Sequence, residues 1–112
     1  MAKPIMDLIV KQDIEQLIHD HTIMIFMKGS KLEPMCGFSN SVIRIFNTFQ
    51  IPYYTFNVLE NTNIRQGIKI YSDWPTIPQV YIKGEFIGGA DIIIGLYQSK
   101  KLQEVIEGQL HS

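Results

Sequence analysis

The sequence predicts an α/β fold: a four-stranded mixed sheet flanked by helices. Three observations carry this. Segments with helical apolar spacing alternate with short β-rich ones. One short run, Thr22–Met27, is nearly all apolar. A glycine, Gly84, splits the last β-rich stretch into two arms of a hairpin. Such alternation implies βαβ passages with parallel pairing, and the hairpin adds antiparallel strands.

Each element has its own reason. Asp13 to Asp20 places Ile14, Leu17 and Ile18 at i, i+3, i+4, with apolar positions continuing back through Ile9 to Ile5. Asp13 followed by Gln16 resembles a capping box. The Thr22–Met27 run suits a strand buried on both faces. Gly29 to Met35 reads as a loop, punctuated by Gly29, Ser30 and Pro34. Ser39 to Phe49 is helical, with Val42, Ile43, Phe46 and Phe49 on one face, and Pro52 closes that segment. Tyr53 to Val58 is β-rich. Asn61 to Asp73 returns to helical spacing through Ile64, Ile68 and Tyr71. Gln79–Lys83 and Glu85–Ile87 form the hairpin arms. Gly88-Gly89 precede a last helical stretch from Asp91, broken near Ser99. The order α-β-α-β-α-β-β-α is the thioredoxin-like arrangement.

Composition limits the functions open to such a chain. Its 112 residues make a single domain spanning 1–112, and 46% of them are hydrophobic. A chain of this size buries roughly 65% of its extended-state surface, enough for a core without staples. A net charge of −1 argues against a protein built to coat nucleic acid or an anionic membrane. No apolar run reaches the ~18 residues of a membrane span. Met1 to Val10 contains Lys3 and Asp7 and lacks the apolar core of a signal peptide. Cys36 is the only cysteine, so no internal disulfide can form and no zinc site can have two thiolates.

A few residues could carry chemistry. Cys36 opens the second helix, where unpaired N–H groups and the dipole favour thiolate over thiol. A lone cysteine is as commonly a small buried hydrophobe, and position alone leaves both readings open. Lys28 ends the first strand, either as a solvated cap or, since strand ends and helix N-termini share a rim in this fold, as a second cationic influence on Cys36. Arg65 and Lys69 lie four apart on the third helix, a spacing that repels by about 0.2–0.5 kcal/mol. They are a tolerated solvated face or a two-pronged anion clamp. Thr76-Ile77-Pro78 precedes the third strand. It is a turn device, or a cis Pro78 that holds the Ile77 backbone outward for an extended ligand. Gly88-Gly89-Ala90-Asp91 is a turn and N-cap that could also admit a carboxylate. His19, His21 and His111 are poor metal candidates.

Lys28-Gly29, Cys36-Gly37-Phe38-Ser39, Trp74-Pro75-Thr76-Ile77-Pro78-Gln79 and Gly88-Gly89-Ala90-Asp91 together resemble the monothiol glutaredoxins of the CGFS type. The likeness runs from about residue 13 to residue 106. It implies a thioredoxin-like fold, a bound glutathione and a [2Fe-2S] cluster. By position, Cys36 would be the thiolate and iron ligand, with Lys28 beside the glutathione. Arg65 and Lys69 would bind the glycyl carboxylate, and Ile77 with Pro78 the cysteinyl moiety. Gly89, Ala90 and Asp91 would hold the γ-glutamyl end, and Phe38 would pack over the site.

The resemblance also implies a monomer that becomes a homodimer around the cluster, and iron–sulfur acceptor proteins as partners. Ala90 stands where many relatives have a second cysteine, so oxidation of Cys36 must end in an intermolecular or glutathione disulfide or in overoxidation. The leading expectation is therefore an iron–sulfur carrier. The alternative is a glutathione-dependent oxidoreductase that deglutathionylates substrates with Cys36 as nucleophile, a weak enzyme at most. A third reading is an adaptor that reports cluster status. A free thiol and a glutathione requirement imply a reducing intracellular compartment: mitochondrial or plastid in a single-domain eukaryotic member, cytoplasmic in a bacterial one.

Overall fold

The computed structural model describes residues 6–111. Helix α1 (Leu8–Asp20) leads into β1 (Ile23–Met27), followed by α2 (Gly37–Phe46) and β2 (Tyr54–Asn57). A short 3-10 turn (Val58–Glu60) precedes α3 (Thr62–Ser72). The hairpin β3 (Gln79–Ile82) and β4 (Glu85–Gly89) then runs into α4 (Ala90–Gln98) and α5 (Leu102–Leu110). The strand order is β2-β1-β3-β4, with β1 parallel to β2 and every other pairing antiparallel. The expected four-stranded mixed sheet is present.

All five residues of β1 are buried, as expected for a strand covered on both faces. Alternation along the strand sorts them between two cores. Ile23, Ile25 and Met27 join Val42 and Phe46 of α2, Ile93 of α4, and Leu102 and Ile106 of α5. Met24 and Phe26 join Ile14 and Ile18 of α1 and Ile64 and Ile68 of α3. In β3, Val80 and Ile82 face the first core and Tyr81 the second.

Boundaries differ from the sequence reading where caps and turns decide them. Helix α1 starts at Leu8, because Asp7 rather than Asp13 is its N-cap: Asp7 Oδ1 accepts from Ile9 N at 2.7 Å. Asp13 lies inside the helix, and Gln16 donates forward to Asp20 at 2.7 Å instead of back to a cap. Ile5 lies outside the described residues. Helix α2 begins two residues before the expected Ser39 and ends at Phe46; Asn47 to Phe49 continue as turns closed by Thr48 N→Ile45 O and Phe49 N→Phe46 O. Strand β4 extends through Gly88-Gly89, so the two glycines belong to the sheet. Gly89 caps α4 with its backbone, and Asp91, read as the N-cap, lies in the first turn. The expected break near Ser99 is real: Lys100 has φ +62°, and two helices result. The hairpin turn is Lys83-Gly84, both at positive φ, as a type I′ turn requires.

Candidate functional site: a helix-capping thiol beside a cleft

Cys36 is the N-cap residue of α2, in extended backbone conformation (φ −149°, ψ 156°). Its side chain therefore does what a serine or aspartate does at that position: Sγ accepts from the backbone N–H of Ser39 at 3.3 Å. In the thiol form Sγ also donates to the Ser39 hydroxyl, at 3.1 Å. That hydroxyl is fully buried and accepts the backbone N–H of Lys28 at 3.1 Å. A hydroxyl has two lone pairs and one proton, so it accepts from the thiol and from Lys28 N–H together, and once the sulfur is ionised it can turn that proton to the thiolate. One residue thus offers two donors to the thiolate and ties the head of α2 to the end of β1.

The electrostatics follow. Partial burial works to raise the Cys36 pKa, but it is outweighed. The Ser39 hydroxyl, the Ser39 N–H, the Lys28 ammonium and the Phe38 N–H all stabilise the thiolate, and the net shift is downward. Cys36 is half-buried, so the sulfur is reachable. Cys36 is not the fully buried side chain that one of its two readings expected.

The end of β1 is pinned from three sides. Lys28 O accepts Met35 N at 2.9 Å, and Gly29 N donates to Asn57 Oδ1 at 2.9 Å. Ser30 and Glu33 exchange backbone bonds at 3.1 Å each, and Gly29 pairs with Pro34. The expected loop before Cys36 is thus a small closed hairpin, and from its turn Lys31 Nζ donates to Tyr53 O at 2.6 Å.

Beside the thiol lies a cleft of about 330 Å³, in the size range of small-molecule sites. Lys28 of β1's end, Phe38 of α2 and Lys69 of α3 line it, with Trp74 to Pro78, Gly89, Ala90 and Asp91 closing the far wall. Eight of the residues singled out from sequence meet there: Lys28, Phe38, Lys69, Ile77, Pro78, Gly89, Ala90 and Asp91. Arg65, one turn before Lys69, is half-buried and stands outside the lining. The Ile77–Pro78 peptide is cis. Ile77 stands outside the strand pairings, and among the described residues its backbone groups enter none of the loop hydrogen bonds. A Cβ on Gly89 would lie 2.9 Å from Trp74 Nε1 and 3.3 Å from Pro78 O, so the absent side chain keeps the wall open. Two cations on one side and a carboxylate at the start of α4 suit a small, extended, zwitterionic ligand. Sequence reasoning did not assign roles to Ser39, Asn57 or Gln79. The available signal was polar residues in otherwise apolar surroundings; Ser39 and Gln79 are both fully buried.

A mixed sheet in this order, with a cysteine capping the second helix and a cis-proline loop before the third strand, defines a protein of the thioredoxin-like fold. The glutaredoxin family model matches residues 23–87. An uncharacterized monothiol glutaredoxin (ycf64-like) of Synechocystis is 57% identical over 91% of this chain and 95% of its own length. The chloroplastic monothiol glutaredoxin-S14 of Arabidopsis thaliana is 46% identical over 88% of this chain and 57% of its own. The solution structure of reduced poplar apo GrxS14 superposes with a TM-score of 0.81 at 45% identity, covering 92% of this chain and 94% of that one. The chain belongs to the glutaredoxin family, among its monothiol members.

Proposed function

We propose that the chain binds glutathione in this cleft and, as a homodimer, holds a [2Fe-2S] cluster as cargo for delivery to iron–sulfur acceptor proteins. The observation that carries the reading is a single half-buried thiol with a lowered pKa, whose neighbours Lys28 and Phe38 line a cation-bearing cleft. In this reading Lys28, Lys69 and Arg65 take the glycyl carboxylate. The free Ile77 backbone beside cis Pro78 pairs with the cysteinyl unit. Gly89, Ala90 and Asp91 receive the γ-glutamyl end, and Phe38, 62% exposed, covers the site.

The donor set bears on stoichiometry. A cluster takes four soft thiolates, and one chain supplies one. No group of three or more His, Cys, Asp or Glu exists among the described residues. One chain alone does not fit a cluster; two chains with two glutathiones do. Anaerobic reconstitution with iron and sulfide, with and without glutathione, tests this by visible absorbance and mass in solution. A coloured dimer is expected only with glutathione, and a Cys36→Ser chain that bound the cluster equally well would overturn the reading.

The reachable, stabilised thiolate favours a second activity at the same site. Cys36 would attack the glutathionyl sulfur of a mixed disulfide, releasing the substrate thiolate to take a proton. A second glutathione thiolate would then attack the Cys36–glutathione disulfide, freeing Cys36 and leaving glutathione disulfide. Turnover on a glutathionylated peptide tests it; its absence confines Cys36 to the carrier role. Both activities require a reducing compartment.

A further inference from the structure

Gln79 is fully buried, yet its polar atoms are satisfied in a directed way. Its amide nitrogen donates to Trp74 O at 3.1 Å and to Thr76 O at 3.2 Å. Its amide oxygen accepts the hydroxyl of Tyr81 at 3.1 Å. Two carbonyls on one side and a hydroxyl on the other fix the amide's orientation, because carbonyls can only accept. Its backbone is paired with Gly89 on one side and Phe26 on the other. Ser72, at the end of α3, accepts Trp74 N at 3.1 Å, so the same loop is also tied to the helix that carries Lys69. One buried side chain thus holds the two carbonyls flanking Pro75, directly before the Ile77 backbone.

We propose that Gln79 is a positioning residue for the ligand: through Trp74 O and Thr76 O it sets the 74–78 wall so that the Ile77 backbone faces the cleft. The proposal rests on the reading of that cleft as the glutathione site. Gln79 touches no ligand itself. Its action runs through the loop, with Tyr81 holding its amide in register. A carbonyl deprived of its donor turns toward solvent or another donor, which would rotate the wall out of place.

Trp74 is the only tryptophan and sits in this wall, so its fluorescence reports the loop directly. Glutathione affinity, measured by calorimetry, and Trp74 anisotropy decay are compared in the wild-type chain, Gln79→Met and Tyr81→Phe. Gln79→Met keeps the length and burial but removes both donors. It is expected to weaken binding at least tenfold and to add a fast component to the anisotropy decay. Loss of global stability alone would shift the unfolding midpoint and leave both native-state readouts unmoved. Tyr81→Phe, which removes one oxygen from a ring that keeps its packing, is expected to weaken binding about threefold and carries the test if Gln79→Met does not fold. Unchanged affinity in a folded Gln79→Met, or in Tyr81→Phe when only that variant folds, overturns the role of Gln79. A wild-type chain that binds no glutathione overturns the reading of the cleft and this proposal with it.

Discussion

Reactivity is set by how Ser39 addresses Cys36. The sulfur replaces the usual oxygen of an N-cap and accepts from the Ser39 N–H, and as a thiolate it can also take the proton of the Ser39 hydroxyl to which the thiol donates. Ser39→Ala removes the hydroxyl donor, leaves the backbone N–H in place, and frees Lys28 N of its partner. The thiol pKa is then expected to rise. The pH midpoint of iodoacetamide alkylation moves upward and the rate at neutral pH falls severalfold, while the plateau at high pH stays level or increases, because a more basic thiolate is intrinsically more nucleophilic. An unshifted midpoint would remove the hydroxyl from the account. The same downward shift has a stability consequence. Between the folded pKa and the ordinary thiol value, the unfolded chain holds a proton that the native chain has released, so stability rises with pH through that window. The contribution is complete above the unfolded pKa and lost as pH falls through the folded one. Cys36→Ser lacks this titration, so wild-type stability relative to that variant, followed by urea unfolding, should rise with pH across the window and be flat on either side. The sequence placed Cys36 at a helix start, legible from the loop and the helical period, and left Lys28 open between a solvated cap and a neighbour of the thiol. Ser39 was not legible, because a serine at the third helical position is read as surface until the fold buries it.

At the scale of elements, the segment between β1 and α2 decides where the thiol sits. Gly29 has φ +90°, and a Cβ there would run into Glu33 O and lie 2.6 Å from Met35 N. Both obstacles are backbone of the same closed hairpin and cannot swing aside. Gly29→Ala is expected to cost about 1–3 kcal/mol, the range for a residue forced into a sparsely populated backbone region, measured as a lowered urea midpoint. It is also expected to slow Cys36 alkylation, since Met35 N→Lys28 O anchors the turn into α2. A variant as stable and as reactive as the wild type would mean the hairpin adapts freely. Element existence was readable throughout, because Thr22–Met27 and the helical periods are strong signals. Element ends were less so, for a physical reason. Leu8 and Ile9 are 67% and 68% exposed, so the apolar stripe of α1 begins only at Val10, and the Asp7 cap marks where the helix starts. Gly88 and Gly89 read as a turn by composition, yet pairing with Val80 and Gln79 keeps them in the sheet. Tertiary pairing overrides local preference there, and no window of sequence contains it.

For the whole molecule, the question is how tightly the helical layers must close for the cleft to form. The glycines in helices answer it by contrast. Gly95 in α4 and Gly108 in α5 are exposed, and a Cβ on either would meet nothing within 4 Å. Gly67 in α3 is buried, and its Cβ would lie 2.6 Å from Val10 Cγ1 and 3.1 Å from Ile14 Cδ1, both on α1. Helix propensity alone favours alanine over glycine by about 1 kcal/mol at any interior position, so local reasoning predicts the same gain at all three. Packing separates them. Forcing extra volume into a filled contact costs about 1–3 kcal/mol, and the β-branched Val10 has little rotamer freedom to yield. Gly95→Ala and Gly108→Ala are therefore expected to stabilise the chain by up to about 1 kcal/mol each. Gly67→Ala is expected to be neutral or to destabilise it by up to about 2 kcal/mol, the difference between the packing cost and the propensity gain. Because α3 also carries Lys69 into the cleft, the shift of α3 away from α1 should register at the ligand as well. Gly67→Ala is expected to weaken glutathione binding severalfold, while the two exposed variants leave it unchanged. Urea unfolding and calorimetry on the three variants check both arms, and equal stabilisation at all three positions would mean that α1 and α3 are not in tight contact.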